Sequence, residues 1–416
     1  MITPSYSATA TERVLPRMAL DFTTASLDSR VTITRALNTA TAVNASGYVA
    51  TVNANLPRFD YDPTTLACKG LLIEESRSNV CIQSADIDNV AWSRAGVGVV
   101  GDTVTSPAGT TTGNTVTCSA GSSVHRVVST AGVVILSTSI THSVFVKAGT
   151  HSFFQIHDGS TGTFYANFNL TTGTVTAVNP ASGATITPYG NGWYKCTLSF
   201  TSGAATSIGA ITIIPDGTSL RNPTWAAAGT ESIYAWGYQI EAGAFATSYI
   251  PTTTTSLTRN ADQVVMTGTN FSDWYNTSQG TLMTEASTFS NAATDKFVAN
   301  INNNGFPNRI LMNFTATNNF SASLVSNSVS QVSGTNGTAA ALNTPIKMCF
   351  ATKLDNFAFS QSGVTPTTDN VGVMPVTVDR LWIGSAFTSA FLNGHMRQIK
   401  YWPQRLINAE TQAFSK

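Results

Sequence analysis

The chain has 416 residues, of which 22 are basic and 22 acidic, so its formal net charge is zero. Charged residues make up 11% of the sequence, against roughly 25% in a typical soluble domain. A neutral chain lacks the basic stripe that binds nucleic acid and the polybasic segments that bind anionic membranes. No apolar run approaches the roughly 20 residues that span a bilayer, so neither nucleic-acid binding nor membrane insertion is expected.

The first ten residues are polar and lack the basic and then apolar order of a signal peptide, so synthesis in a cytoplasm is expected. The cysteines are odd in number, scattered, and form no CxxC pair. This spacing supports neither a zinc site nor a disulfide framework, and it favours buried free thiols. The five are Cys68, Cys81, Cys118, Cys196 and Cys349.

Residues 1–84 form an irregular N-terminal region. They contain a short predicted strand at Val31–Thr34, a stretch rich in proline and acidic residues at Pro57–Pro63, and an apolar strand at Gly70–Glu75. Such a region is too short and irregular for an independent sandwich. We therefore expect it to pack on neighbouring domains or on another chain, as an attachment region.

Residues 85–255 alternate apolar and polar side chains with a period of two, most clearly at 164–170, 194–200 and 234–240. Turn residues bound each segment, which is typical of short strands in an antiparallel β-sandwich. The alternation places Tyr234, Trp236 and Tyr238 on one face, which we interpret as core. A proline followed by four threonines, within Tyr249–Thr255, predicts a linker.

Residues 256–416 predict a second sandwich that ends in a short helix. Asn408 is the predicted N-cap, with Glu410 in the first turn against the helix dipole. The predicted fold class is therefore all-β, with two antiparallel β-sandwich (jelly-roll) domains after the irregular N-terminal attachment region.

Four motifs near the N-terminus occur in a fixed order, at Leu20–Thr24, Asp28–Arg35, Pro57–Pro63 and Gly70–Asn79. Together they resemble tailed-bacteriophage virion proteins of the head spike or head fibre type. In that family the same string introduces a carbohydrate-binding-module-like sandwich. The resemblance implies that residues 85–255 form such a sandwich.

Two later stretches extend the resemblance. Trp236–Glu241 and Thr247–Thr252 look like the closing strand of the carbohydrate-binding-module-like sandwich. Leu392–Pro403 is similar to the end of concanavalin-like or laminin-G-like lectin folds in phage appendages. Residues 256–416 are assigned to that lectin-like class on this likeness.

The resemblance implies a virion structural protein on the particle surface, synthesised in the host cytoplasm. Its expected partners are other virion proteins at a capsid or tail attachment site, further copies of itself with a trimer favoured, and a host surface glycan held weakly. Head fibre or capsid decoration is the preferred assignment. A tail fibre or receptor-binding adhesin is the first alternative, and a polysaccharide-degrading tailspike is the second.

The scarce charge is concentrated in the N-terminal region. Such clustering in a charge-poor chain marks either an attachment interface or buried ion pairs, while local salt bridges within an irregular region are an equal alternative. The attachment-interface candidates are Arg30, Arg35, Arg58, Asp60 and Asp62.

The sequence contains no catalytic pattern. HExxH and GxSxG motifs are missing, and Glu74 and Glu75 are adjacent on a strand and so point to opposite faces. His151 and His157 are interpreted as exposed strand histidines. We therefore predict no catalytic residues, no metal ligands and no enzyme activity.

Carbohydrate recognition uses aromatic faces stacked on sugar rings, framed by Asn, Asp, Gln and Arg side chains that bond the sugar hydroxyls. Trp193 and Trp225 are the candidate platforms in the middle domain. No cofactor is expected. Same-face spacing leaves a structural calcium ion as an alternative at Asp60 and Asp62 or at Asp86 and Asp88. Neither pair resembles a calcium loop, so both are interpreted as turn residues.

Overall fold

The computed structural model describes residues 15–130, 133–134, 139–160, 163–179, 182–201 and 206–416. Almost all of its regular structure is antiparallel sheet, so the all-β prediction is confirmed. No helix in these ranges is long and apolar enough to cross a membrane.

The strands are numbered in chain order. The first part of the chain contains β1 (Met18–Asp21), β2 (Thr32–Thr34), β3 (Ala40–Val43), β4 (Val49–Val52), β5 (Phe59–Tyr61), β6 (Cys68–Ile73), β7 (Arg77–Asn79), β8 (Trp92–Ala95), β9 (Val97–Thr105), β10 (Thr111–Cys118), β11 (Gly121–Ser123), β12 (Arg126–Ser129), β13 (Val133–Val134), β14 (Ser139–Ala148), β15 (Phe153–Asp158), β16 (Tyr165–Asn169), β17 (Thr174–Val178) and β18 (Ser182–Pro188). The rest contains β19 (Trp193–Thr201), β20 (Thr206–Ser207), β21 (Gly209–Ile213), β22 (Trp225–Ala227), β23 (Ser232–Ala242), β24 (Leu257–Arg259), β25 (Gln263–Thr267), β26 (Gln279–Thr288), β27 (Lys296–Asn302), β28 (Arg309–Phe314), β29 (Phe320–Ser326), β30 (Val329–Asn336), β31 (Ile346–Lys353), β32 (Phe357–Gln361), β33 (Thr367–Asp369), β34 (Arg380–Ile383) and β35 (Gly394–Trp402). Helices are few: a 3-10 turn at Phe22–Thr24, α1 (Thr269–Ser272) and α2 (Asn408–Phe414).

The chain divides into two compact units, each built from separate stretches of sequence. Unit 1 comprises Met1–Thr34, Lys69–Glu75 and Asp262–Lys416, and unit 2 comprises Arg35–Cys68 and Ser76–Ala261. Both units therefore take strands from residues 1–84. The predicted boundaries after residues 84 and 255 stay predictions.

Unit 2 contains two six-stranded sheets. One runs β18-β19-β14-β23-β10-β9 and the other β17-β16-β15-β21-β12-β8, with every pairing antiparallel. Buried side chains of both sheets form one core cluster, for example Val144 and Leu198 of the first sheet with Ile156 and Phe168 of the second. This shared core is the physical basis of a sandwich, because each sheet buries one apolar face against the other.

Unit 1 also contains two large sheets. One has the order β33-β32-β31-β26-β35-β6, with β1 also paired to β35, and the other runs β2-β25-β34-β27-β28-β29-β30. Alternate side chains of the second sheet, such as Ile301, Leu381 and Met312, are fully buried. The period-two pattern thus fixes which face of each strand is core.

A bulge in β23 overturns one detail of the predicted face. Gly237 has a φ of +66° and the pairing of β23 with β14 shifts register there. Trp236 therefore packs with Phe145 and Tyr249 on one side, whereas Tyr238 enters the sandwich core on the other. Both rings are buried as predicted, but on opposite faces, because the bulge inserts one residue into the alternation.

The C-terminal helix occurs where the sequence predicts it, but its cap lies one residue earlier. Ile407 is the N-cap, and Asn408 is the first helical residue. Glu410 accepts a hydrogen bond from the Ile407 amide at 3.0 Å, which is the first-turn role expected of it. In the predicted linker, Tyr249, Ile250 and Thr252 are buried within unit 2.

Candidate glycan site in unit 2

Four turns of unit 2 enclose a cavity of about 340 Å³. They lie between β3 and β4, after β5, between β9 and β10, and between β18 and β19. The lining residues are Ser46, Gly47, Tyr48, Pro63, Thr64, Leu66, Ser106, Pro107, Tyr189, Gly190, Asn191 and Trp193.

Short-range hydrogen bonds hold these turns in place. The Asn44 side chain accepts from the amides of Ser46 at 3.0 Å and Tyr48 at 3.1 Å. Asp62 accepts from the Thr64 amide at 2.9 Å in the same way. Such side-chain caps are typical of Asn and Asp in turns, and the interpretation of Asp62 as a turn residue is consistent with this contact.

One glycine allows two of the turns to approach each other. Gly190 has a φ of +68°, and a Cβ atom there would lie 2.7 Å from the Pro63 carbonyl oxygen. A non-glycine residue would meet both backbone strain and a clash with the backbone. The cavity wall between Pro63 and Gly190 therefore depends on the missing side chain.

Three aromatic residues are among those that line the cavity. Trp193 is 2% exposed, and its indole N–H donates to the Thr105 carbonyl at 3.0 Å. Tyr189 is half-buried and meets the Phe145 ring edge-on at 4.7 Å. Tyr48 is also half-buried. Desolvation, followed by the nearby Asp60 carboxylate, raises the pKa of Tyr189 well above its ordinary value, so its hydroxyl stays protonated at neutral pH.

The chemistry of the lining is polar but uncharged. None of the lining residues carries a formal charge, and hydroxyl or amide groups alternate with apolar surface. Within the described residues, the hydroxyls of Tyr48 and Tyr189 make no hydrogen bond with a protein group, and these two groups can bond a ligand. A wall of this composition suits a neutral molecule that has both an apolar face and several hydroxyl groups.

Comparisons with known proteins were made for the whole chain. No family model and no curated protein matches it. Among solved structures, it is similar to the CBM40 of the Ruminococcus gnavus IT-sialidase, at 14% identity over 34% of this chain and 84% of that chain, with a TM-score of 0.28. It is also similar to mouse laminin alpha1 domains LG4-5, at 10% identity over 66% and 85%, with a TM-score of 0.24.

A further likeness is to the Trypanosoma rangeli sialidase in complex with sialic acid. Identity is 9% over 73% of this chain and 60% of that chain, with a TM-score of 0.28. At these TM-scores no function is transferred from any of the three proteins.

The structure does not bring the two predicted platform residues together. Trp193 packs with Phe145 and Trp236, whereas Trp225 packs against the sandwich core. Trp225 is half-buried, donates its indole N–H to the Ile213 carbonyl at 3.2 Å, and stacks on the His151 ring at 6.0 Å. Only Trp193 lines the cavity, and the roles of both in sugar binding stay predictions.

Sequence reasoning missed Tyr48 as a site residue and did not select Tyr189. The Gly190-Asn191-Gly192 turn was visible as a strand boundary, but nothing in the sequence places it beside a turn that lies about 140 residues earlier. Contacts between distant turns are set by sheet order, which local patterns do not encode.

The attachment-interface candidates occupy different environments. Arg30 forms a bidentate pair with Asp28, at 2.9 and 2.7 Å, and this pairing lowers the pKa of that carboxyl. Arg35 and Arg58 are each 1% exposed, and Asp60 is 5% exposed. These three are therefore not presented on the surface of unit 2, and an attachment role for any of the five candidates stays a prediction.

Buried charged groups in this part of unit 2 bond the backbone. Arg35 donates to the carbonyls of Leu56 at 3.0 Å and Asn53 at 2.7 Å. Asp60 accepts from the Val43 amide at 2.8 Å. Such bonds satisfy charges that would otherwise be costly to bury, so they fix the path of an irregular stretch of chain.

The prediction of an exposed His157 is wrong. His157 and His142 are both 0% exposed. His142 lies on the core-facing side of β14, in phase with Ile140 and Val144. His157 lies on the other face of β15, away from the core residue Ile156, with its Nε2 atom 2.9 Å from the Thr212 hydroxyl. The His142 Nε2 atom lies 2.8 Å from the Ser207 hydroxyl, which donates to Asp158 at 3.3 Å. Serine therefore lies between histidine and aspartate, inside the sandwich, an order that differs from that of a hydrolase triad.

Acidic residues do not assemble a metal site among the described residues: no group of three potential ligands occurs there. Asp86 and Asp88 share a hydrogen bond, which raises the pKa of Asp86 ahead of the effect of burial. Calcium binding at either predicted pair stays untested.

Proposed function

We propose that this protein is a non-enzymatic structural protein on the surface of a tailed-bacteriophage particle, where it holds host glycans weakly. The uncharged cavity in unit 2 is the observation that supports glycan binding. Rings of Tyr48 and Tyr189 provide apolar surface for a sugar face, and their hydroxyls provide hydrogen bonds. A neutral hexose unit has both an apolar face and hydroxyl groups that can form these contacts.

The virion half of the proposal is supported by the ordered motifs between Leu20 and Asn79 and by the small share of charged residues. A hydroxyl-rich, neutral surface limits nonspecific adhesion outside cells. The proposed partners are a capsid or tail attachment site and further copies of the chain, with a trimer favoured. A trimer on a particle with many attachment points would convert weak contacts into avidity.

Location is tested by labelling purified particles with an antibody against this chain and imaging them by electron microscopy. Label on the head supports a head fibre, and label on the tail supports the tail-fibre alternative. If the chain is missing from purified particles, the virion proposal is wrong. A particle reconstruction would also give the copy number, with three-fold density expected.

Binding is tested on an array of neutral and acidic oligosaccharides with the intact chain. Weak, broad retention of neutral glycans is expected. Tight and selective binding of one host polysaccharide would favour the adhesin. Release of reducing ends from host capsule would establish a tailspike enzyme and contradict the non-enzymatic proposal.

A further inference from the structure

One face of the seven-stranded sheet in unit 1 carries polar side chains that are buried. Across the pairing of β27 with β34, Asn300 lies opposite Trp382, and Asn302 lies opposite Arg380. On the other side, β28 places Arg309 opposite Asn302. The alternate residue Ile301 points to the opposite, apolar face. The polar residues therefore share a single patch on the outer face of this sheet.

Several buried atoms of this patch have no hydrogen-bond partner among the described residues. The Asn300 side chain is 0% exposed, and neither its amide nitrogen nor its oxygen is bonded. The Asn302 amide nitrogen and the Trp382 indole N–H are in the same state. The Asn302 oxygen, in contrast, accepts from the Asn304 amide at 2.9 Å. Buried polar groups without a hydrogen-bond partner are rare in native interiors. We therefore expect these groups to bond a ligand.

Two phenylalanines lie beside Trp382 and Arg309 at the edge of the patch. Phe387 meets the Trp382 ring edge-on at 5.6 Å, and Phe306 meets Phe387 edge-on at 5.5 Å. Phe306 is 47% exposed, so this aromatic pair reaches the protein surface. The Arg309 guanidinium lies 5.2 Å from the centre of the Phe306 ring.

The unbonded groups are richer in donors than in acceptors. Asn300, Asn302, Trp382 and the Nε atom of Arg309 supply N–H donors, while the Asn300 oxygen is a free acceptor in the same register. Desolvation lowers the pKa of Arg309, so an anion beside it would offset the cost of its burial. The acid that flanks the patch, Asp379, is paired with Arg380 at 2.7 Å.

We propose that this patch binds a sugar that carries a carboxylate, of the uronic-acid class. The carboxylate oxygens accept from the amide, indole and guanidinium donors, and a ring hydroxyl donates to the Asn300 oxygen. Phe306 and Phe387 pack on the apolar face of the sugar ring. This site is separate from the neutral-sugar cavity and does not depend on it, since every residue named belongs to unit 1.

The test compares two sugars that differ at one carbon. D-glucuronate and D-glucose are titrated into the intact chain by calorimetry, and glucuronate is expected to bind roughly tenfold more tightly. The Asn300→Asp variant keeps the side-chain shape but replaces a donor with a like charge, so glucuronate binding should be lost. Trp382→Phe keeps an aromatic ring but removes the indole N–H donor. Its affinity for glucuronate is expected to fall roughly tenfold.

Thr267→Ala is the matched control, because Thr267 is exposed on the neighbouring strand β25 opposite Arg380 and carries none of the unbonded atoms. Its glucuronate affinity should equal that of the parent chain. If Asn300→Asp does not fold, the glucuronate affinity of Trp382→Phe still tests the proposal. An affinity equal to that of the parent chain in folded Trp382→Phe overturns the proposal. Equal binding of glucose and glucuronate also overturns it, as does a crystal structure with internal water on Asn300 and no glucuronate binding.

Discussion

The Nδ1 atom of His142 lies 2.9 Å from the Tyr238 hydroxyl in the core of unit 2. Desolvation, opposed by the Asp158 charge, lowers the pKa of His142 to about 4. Desolvation also lowers the pKa of His157 to about 3, with the charges of Arg221 and Arg126 adding to the effect and Asp158 opposing it. Both imidazoles are therefore neutral in the folded chain at pH 7.

Acidification below pH 6.5 should destabilise unit 2. In the unfolded chain each histidine takes up a proton near pH 6.5, whereas the folded chain does not until about pH 4 for His142 and about pH 3 for His157. Stability is thus complete above pH 6.5 and falls below it, by about 1.4 kcal/mol per pH unit for each histidine. Urea unfolding at pH 7.0, 6.0 and 5.0 measures this slope.

The control for the pH experiment is the double variant His142→Gln, His157→Gln. It should start less stable at pH 7 but lose the slope between pH 6.5 and 5. An equal slope in the parent and the variant would assign the acid sensitivity to other groups.

Gly190→Ala should destabilise unit 2 and distort the cavity. The new methyl group would meet the Pro63 carbonyl oxygen at 2.7 Å with φ at +68°, at a cost of about 1–3 kcal/mol. Gly183→Ala is the matched control in the preceding strand, where the nearest atom would be 3.9 Å away and φ is not positive. Thermal unfolding of both variants gives the comparison, and an equal effect at the two positions would contradict the close approach.

Tyr48 tests the cavity as a sugar site. Tyr48→Phe keeps the ring, while Tyr48→Ala removes it, and the ring contributes about 0.5–1.5 kcal/mol of contact beyond area burial. We expect roughly a tenfold loss of affinity for the best neutral oligosaccharide in Tyr48→Ala and a smaller loss in Tyr48→Phe. Calorimetry measures both, and equal affinity in all three chains would remove the cavity from the proposed function.

The sequence predicts strands well in this chain because burial on one face has a direct local signature. Phe164–Leu170 and Tyr194–Phe200 alternate strictly and contain β16 and most of β19. The bulge at Gly237 breaks the same rule, since one inserted residue reverses every later side chain. Its cause is a backbone conformation, which the alternation of residue types does not reveal.

Site residues were harder to predict because exposure depends on what covers a strand. Alternation places Asn300 and Asn302 on the face opposite Ile301, where polar residues normally meet water. Both asparagines are nevertheless buried, and the neighbouring Trp382 contacts Phe387, which in turn contacts Phe306 from a separate loop. Likewise, the local sequence places Trp193 on a strand. It does not show that neighbouring turns bury the Trp193 side chain.

The reactivity of the cysteine thiols tests whether their side chains are buried in unit 1 and unit 2. Four of the five cysteines are buried and free, and Cys68 alone is half-buried. Desolvation, with a smaller contribution from the Glu231 charge, raises the pKa of Cys118 to about 12, and desolvation raises the pKa of Cys196 well above its ordinary value. Because the thiolate is the reactive form, these groups should resist alkylation at pH 8.

Iodoacetamide labelling followed by mass spectrometry should modify Cys68 first in the native chain. All five cysteines should react after denaturation in guanidinium, which serves as the control for access. The Cys68→Ser variant should leave the native chain almost unlabelled. Rapid native labelling of Cys118 or Cys196 would show that the sandwich of unit 2 opens far more readily than its packed core implies.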